Sequence, residues 1–347
     1  MHVIGTGTIG EPLIGLLADL RGDLGIDDVT FSKRTPLLID RSKIASLIKR
    51  GARLCAEKEK VEDFKNLGLD PDYECEEAIS RASVVVDCTP AGLENKDRYY
   101  KRFEDRVGCF VAQGSEFGFG KMYALGINDE ALTSNDRYVQ VVSCNTHNIA
   151  VIIKTIAVDG QSSRLAEGKF LCLRRANDIS QEGEFIPSPE VDRHNDQRFG
   201  THHARDVYWL YKTIGLGLNI FSSSVKLNTQ YMHAIWFDLH LTQETNADEV
   251  KERFKRNSRV ALTHKTSASL VFSFGRDQGY YGRILNQTVV VVPTLTVRDG
   301  REVLGFCFTP QDGNSLLSSI AVIEHTLCPD SWKERMNKLD PYLFSEV

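Results

Sequence analysis

Nothing in this chain of 347 residues reads as a membrane span or a nucleic-acid arm. No apolar stretch approaches the ~20 residues that a helix needs to cross a bilayer. No long basic run occurs, and a net charge of -5 at pH 7 leaves no electrostatic footprint for a polyanion. No nucleic acid and no membrane are expected as partners. Eight cysteines are present (Cys55, Cys75, Cys88, Cys109, Cys144, Cys172, Cys307 and Cys328), yet no pair has C-x-x-C spacing. That lack argues against a zinc site, and no metal is expected. The first residues carry no secretory signal, so the thiols are expected to be reduced and the protein cytoplasmic. No internal repeat or low-complexity segment is visible.

What remains is an ordinary globular composition in a length too great for one typical core, so two domains are expected. His2-Val3-Ile4 reads as a strand, Gly5-Thr6-Gly7-Thr8-Ile9-Gly10 as a turn, and Leu13, Ile14, Leu16 and Leu17 as the apolar face of a helix. In G-x-G-x-x-G the first glycine permits the tight turn, the second lets backbone approach a pyrophosphate, and the third lets helix and strand pack closely. The helix N-terminus then faces the phosphates. Gly5, Gly7, Thr8, Ile9 and Gly10 are therefore expected to hold a nicotinamide dinucleotide. The second strand, Val29-Thr30-Phe31, lacks the acidic residue that would hold an NAD ribose; it ends in Ser32-Lys33-Arg34-Thr35. Cations suit a 2′-phosphate, so Lys33, Arg34 and Thr35 predict NADP, with NAD possible. Strands at Arg53–Ala56, Ser83–Asp87 and Cys109–Ala112, and a charged helix from about Lys58 to Leu67, continue the alternation of a parallel sheet. Loops at Cys88–Gly92 and Gln113-Gly114-Ser115 follow strand ends, where such folds bind ligands, and Gly114 joins the expected cofactor set.

Cys144 is the most informative residue. It follows the apolar run Tyr138–Ser143 and precedes Asn145-Thr146, which suit a helix N-cap, and an amphipathic run with Ile149, Ile152, Ile153, Ile156 and Ala157 at helical spacing. A thiol at a helix start is expected to have a lowered pKa and to act as a nucleophile. A nucleophilic cysteine plus a nicotinamide cofactor predicts oxidation of an aldehyde through a thioester.

Beyond that helix the pattern changes. Strands are expected at Lys169–Arg175, Leu218–Leu227, Tyr231–Leu241, Thr288–Leu295 and Val303–Thr309, with helices at Ala247–Arg256 and Ser315–Leu327. Long strands and few helices predict a largely antiparallel sheet. Tyr231, His233, Ile235, Phe237, Leu239 and Leu241 share one face by alternation. Arg174-Arg175 ends one strand, a loop rich in Pro, Asp and Glu follows, and Thr201-His202-His203-Ala204-Arg205 comes after it. Alternation sends the side chains of each adjacent pair to opposite sides, so both members reach one anion only through a bend or loop.

In their order these motifs resemble the archaeal-type, or type II, glyceraldehyde-3-phosphate dehydrogenases over nearly the whole chain. The resemblance rests on Gly5–Gly10, Val84–Asp87, Ala112-Gln113-Gly114 and, above all, Val141-Val142-Ser143-Cys144-Asn145-Thr146. It continues in Leu173–Ala176, His202-His203, Met232-His233 and Phe274-Gly275-Arg276-Asp277. It implies an α/β chain with an N-terminal Rossmann-type domain and an α+β catalytic domain with a mixed sheet. The cofactor domain is expected at 1–143, completed by 311–347, and the catalytic domain at 144–310. The resemblance also implies a homotetramer that oxidises glyceraldehyde 3-phosphate to an acyl phosphate, with inorganic phosphate as co-substrate. Cys144 is implied as nucleophile and His233 as base. Asn145, Thr146, Arg174, Arg175, His202 and His203 are implied at substrate or phosphate. The family usually follows Cys-Asn-Thr with Thr-Gly-Leu, where this chain has His147-Asn148-Ile149, and only the first histidine of Met-His-x-His is kept. His147 is therefore a competing base. A dehydrogenase for another phosphorylated aldehyde and a non-catalytic NAD(P)-binding relative are the alternatives.

Overall fold

The structure is a computed structural model and describes residues 1–178, 183 and 185–347. The chain divides into two compact units, 1–121 with 132–141 and 318–338, and 122–131 with 142–317 and 339–347. The stretch 311–347, expected to complete the first domain, is thus shared between them.

The first unit is built on a parallel sheet. Its strands and helices run β1 (His2–Ile4), α1 (Gly10–Asp19), α2 (Arg21–Leu24), β2 (Thr30–Ser32), α3 (Arg41–Lys49), β3 (Arg53–Ala56), α4 (Val61–Asn66), β4 (Tyr73–Glu74), α5 (Cys75–Arg81), β5 (Val84–Asp87), α6 (Gly92–Arg98), β6 (Cys109–Gln113), β7 (Lys121–Tyr123), of which only Lys121 belongs to this unit, and β8 (Tyr138–Val141). The sheet order is β4-β3-β2-β1-β5-β6-β8-β7. β1 pairs in parallel with both β2 and β5, so the strand order reverses there. In an open α/β sheet that reversal opens a crevice at the carboxyl ends of the strands. The Val84–Val86 run is wholly buried, as a central parallel strand requires. Asp87 ends it as a buried hub. Its carboxylate accepts from the Thr89 hydroxyl at 2.7 Å, Asn95 at 2.8 Å and the Tyr100 hydroxyl at 2.6 Å, which fixes the loop after β5.

The second unit carries α7 (Cys144–Ala157), β9 (Val158–Asp159), β10 (Ser162–Ser163), β11 (Leu165–Arg174), β12 (Glu190–Val191), α8 (His202–Lys212), β13 (Ile220–Lys226), β14 (His233–Leu241), α9 (Ala247–Arg256), β15 (Val260–Thr263), α10 (Ala268–Gln278), β16 (Thr288–Val291), β17 (Thr296–Arg298) and β18 (Glu302–Thr309). Its large sheet has the order β12-β13-β11-β14-β18-β16-β15, with β17 on β18. The sheet is mixed: β11/β13 and β15/β16 are parallel, and β11/β14, β12/β13, β14/β18, β16/β18 and β17/β18 are antiparallel. α11 (Leu316–Leu327) and α12 (Trp332–Asn337) follow, and residues 318–338 cluster with the first unit.

Several expectations are corrected. α7 is buried on all sides, where an amphipathic helix was expected. The sheet face formed by Phe170, Ile235, Phe237 and Leu239 and the helices α8 and α9 enclose it, and Ala150 and Val151 complete an apolar girdle. Thr201–Arg205 is the start of a helix. α10 was not foreseen as a helix; it contains Phe274–Asp277. The strand begun at Thr288 stops at Val291, because Pro293 lies in a 3-10 turn and cannot donate to the ladder. Tyr231 lies before β14, is exposed, and has φ 82, so it leaves the shared face to His233, Ile235, Phe237, Leu239 and Leu241. The acidic loop between Arg175 and Thr201 falls partly outside the described residues. Among the described residues no helix is long and apolar enough to cross a membrane.

Candidate functional site

In the first unit the turn after β1 behaves as its spacing requires. Gly5 has φ +91, and a Cβ on Gly10 would lie 2.0 Å from the Gly5 carbonyl oxygen, so the third glycine is sterically obligatory. A Cβ on Gly7 would meet nothing within 4 Å, which leaves backbone open on that side. Gly114 has φ +88 and is open likewise. These observations fit a dinucleotide whose pyrophosphate lies on the glycine turn and the start of α1. At the end of β2, Lys33 pairs with Asp40 at 2.8 Å, while Arg34 and Thr35 are exposed. Lys43, which sequence reasoning missed, joins the cluster: it pairs with Asp40 at 3.1 Å and donates to the Thr6 carbonyl at 3.2 Å.

In the second unit Ser143 is the N-cap of α7, not Asn145 or Thr146. The hydroxyls of Ser143 and Thr146 lie 2.8 Å apart, so Thr146 is spent on the cap and is fully buried. Cys144 opens the helix half-buried. Its pKa departs from the expectation. Burial pushes the thiol up to about 12; the Arg175 guanidinium opposes this, and Asp312 and Asp178 reinforce it. Desolvation here outweighs both Arg175 and the Asn145 N–H at the helix start, so the resting group is a thiol.

Asn145 is the centre of a buried polar network. Its Oδ1 accepts from His233 Nδ1 at 3.0 Å and from the Thr309 hydroxyl at 3.1 Å. Its amide donates to His203 Nε2 at 3.1 Å, and His203 Nδ1 lies 3.1 Å from the Thr201 hydroxyl. Because Oδ1 can only accept, His233 carries its proton on Nδ1 and presents a lone pair at Nε2. Burial first, then Arg175 and Arg174, lower the His233 pKa to about 3, so the ring is neutral. The network runs on through Asn148, which donates to Thr309 at 2.8 Å and accepts from the Cys307 thiol at 3.2 Å. His147 is fully buried; its Nδ1 donates to the Ser143 carbonyl at 3.0 Å, and burial lowers its pKa to about 4.

The two arginines diverge, as strand alternation requires. Arg174 pairs with Asp192 at 2.9 Å. Arg175 is buried, pairs with Asp178 at 2.9 Å and Asp312 at 3.3 Å, and donates to the Tyr231 carbonyl at 2.9 Å. Its Nε is buried without a hydrogen-bond partner. His202 and His203, both on α8, stack with ring centroids 4.0 Å apart. His202 is exposed and feels Asp206, Arg174 and Asp192, whereas His203 is buried. The expected residues thus form three neighbouring groups in this unit: Cys144 with Arg175, His233 with Asn145 and His203, and Arg174 with His202. Sequence reasoning missed Asp178, Asp192, Asp312, Asn148 and Thr309.

No protein-family model matches the chain. It is similar to curated proteins named glyceraldehyde-3-phosphate dehydrogenase. That of Pyrobaculum calidifontis is 28% identical over 310 residues, 85% of this chain and 83% of its own. That of Archaeoglobus fulgidus is 26% identical over 284 residues, 79% and 77% of the two chains. A third, glyceraldehyde-3-phosphate dehydrogenase 2 of Methanosarcina barkeri, is 27% identical over 304 residues, 86% and 83%. The chain is thus similar, over most of its own length and of theirs, to archaeal proteins named glyceraldehyde-3-phosphate dehydrogenase.

Proposed function

We propose that the chain oxidises glyceraldehyde 3-phosphate and conserves the acyl group as an acyl phosphate, with NADP preferred over NAD. One observation carries the reading most: the nucleophile candidate Cys144 opens a buried helix whose next residue, Asn145, orients the neutral His233.

Gly5, Gly7, Thr8, Ile9, Gly10 and Gly114 would hold the dinucleotide, and Lys33, Arg34, Thr35 and Lys43 its 2′-phosphate. Bound nicotinamide supplies the hydride acceptor. The Cys144 sulfur adds to the aldehyde carbon, and the thiol proton passes to the carbonyl oxygen. The Asn145 N–H lies against the sulfur at the helix start, and donors there stabilise charge as it develops. His233 Nε2 then takes the hydroxyl proton as the carbon is oxidised, leaving a thioester on Cys144. A phosphate oxygen attacks that thioester, the carbon–sulfur bond breaks, and His233 returns the proton to sulfur. Arg174, Arg175 and His202 supply the cationic and donor surroundings for phosphate, with His203, held by Asn145 and Thr201, packed against His202. Phosphate beside the arginines offsets two of the charges that depress His233, which moves its pKa up towards the working range. The eight free thiols suit a reducing, cytoplasmic compartment, and a homotetramer is the assembly we expect.

Mixing the protein with glyceraldehyde 3-phosphate, inorganic phosphate and NADP should give reduced cofactor, and Cys144→Ser should abolish turnover while cofactor binding persists. No turnover with either cofactor overturns the reading in favour of a non-catalytic relative. Turnover independent of phosphate overturns the phosphorolytic step and points to water as the resolving nucleophile.

A further inference from the structure

The outer face of β14 carries a second cluster of chemical groups. Asp238 and His240 are two residues apart, so they share a face, and His240 stands directly across from Glu302 on β18. The neighbours Phe237, Leu239 and Leu241 fill the core, which puts Asp238 and His240 on the opposite side. The His240 Nε2 lies 3.3 Å from Asp238 Oδ1 and 3.6 Å from Glu302 Oε1. One ligand atom from each of the three residues falls within 4.8 Å of the other two.

Two features distinguish this cluster from a surface ion pair. Asp238 is only 8% exposed, and its Oδ1, the atom that faces His240, is buried with no hydrogen-bond partner. A buried carboxylate oxygen without a partner is costly. The two spacings that involve His240 also match a coordination shell. Ligand atoms about 2.1 Å from a tetrahedral zinc stand roughly 3.4 Å from one another, between the two distances observed. The nearby cations are engaged elsewhere. Lys169, across from Asp238 on β11, holds Glu167 at 2.8 Å, and Arg298 holds the other Glu302 oxygen, Oε2, at 3.1 Å.

We propose that Asp238 Oδ1, His240 Nε2 and Glu302 Oε1 bind a divalent cation of the zinc class, with water completing the shell. One nitrogen and two carboxylate oxygens form an open three-ligand set of the type zinc accepts. The ion would pin β14 to β18 on the face away from the core. The absence of cysteine pairs bears only on thiolate sites, and this set has no sequence signature because one ligand comes from a strand 62 residues later.

EDTA-treated protein is dialysed against Zn2+ and the bound metal measured, with thermal unfolding followed in parallel. One tightly held ion per chain and a raised Tm are expected. His240→Ala and Glu302→Gln should each weaken binding about 100-fold or more, since even residues that only support a ligand cost 10–100-fold. Cys144→Ser should bind as the parent does. No stoichiometric ion, binding unchanged in His240→Ala and Glu302→Gln, or binding lost in Cys144→Ser would each overturn the site. Its failure would leave the dehydrogenase reading intact, because no residue is shared.

Discussion

His233 donates from Nδ1 to the side-chain oxygen of Asn145 at 3.0 Å, so the residue after the nucleophile fixes the tautomer of the base. Asn145 was expected at substrate or phosphate; its side chain also orients His233. Replacing Asn145 by Ala should lower kcat by about 10²-fold with a smaller change in KM, the range of a general-base contribution. Asn145→Asp should place an anion beside the ring and raise the His233 pKa, moving the acid limb of the kcat profile to higher pH. An unmoved limb would dismiss His233 as the titrating base.

The Cys144 thiol, held up at about 12, should show alkylation that keeps accelerating with pH. Below its pKa the thiolate fraction rises tenfold per unit, so the logarithm of the iodoacetamide rate should climb with unit slope from about pH 6 to about pH 9. A plateau near neutrality in the cofactor-free protein would show that the helix start overrides burial after all.

Lys33 is tied to Asp40, while Arg34 is exposed beside it. Arg34→Ala should therefore raise the KM for NADP about tenfold, the worth of one charge-assisted contact, and leave that for NAD unchanged. Lys33→Ala should do less. Equal effects on both cofactors would remove the 2′-phosphate role.

Acid should destabilise the fold through its buried histidines. His2, His147 and His233 have pKa values of about 3, about 4 and about 3 in the folded chain, against about 6.5 for an exposed ring. Between those limits the unfolded chain binds more protons, so stability is fully present above about pH 6.5 and falls as pH drops towards 4. At pH 5 each histidine costs about 2 kcal/mol. Chemical denaturation at pH 7 and pH 5 measures this, and replacing His147 by Gln should shrink the difference by about 2 kcal/mol, one of the three contributions. Equal stability at the two pH values would contradict the burial of these rings.

Local patterns carried much of this. The glycine turn, the run Val84–Asp87, the β14 alternation and the helix Ala247–Arg256 follow from short-range rules of spacing and burial. Cys144 was legible as a helix start because a polar cap separates an apolar strand from an apolar helix. Its ionisation was not legible, because desolvation depends on what encloses the helix. Nor could the sequence show that Arg175 faces Asp312, 137 residues on, or that Asn145 meets Thr309. Those pairings exist only once β14 and β18 lie side by side. The helix that starts at His202 was not read from the sequence, and packing of its buried face against the core decides the matter.

Asn148 touches both Thr309 and Cys307, and this bears on how the family's sequences diverge. Grafting the relatives' Thr-Gly-Leu onto positions 147–149 would remove a side chain that satisfies two strand residues at once. The Thr309 hydroxyl would keep Asn145 and the Cys307 thiol the Ile235 carbonyl, but each would lose one of its partners. Such a chimera should recover only when 307 and 309 are exchanged together with it, so these sites on separate elements form one heritable block.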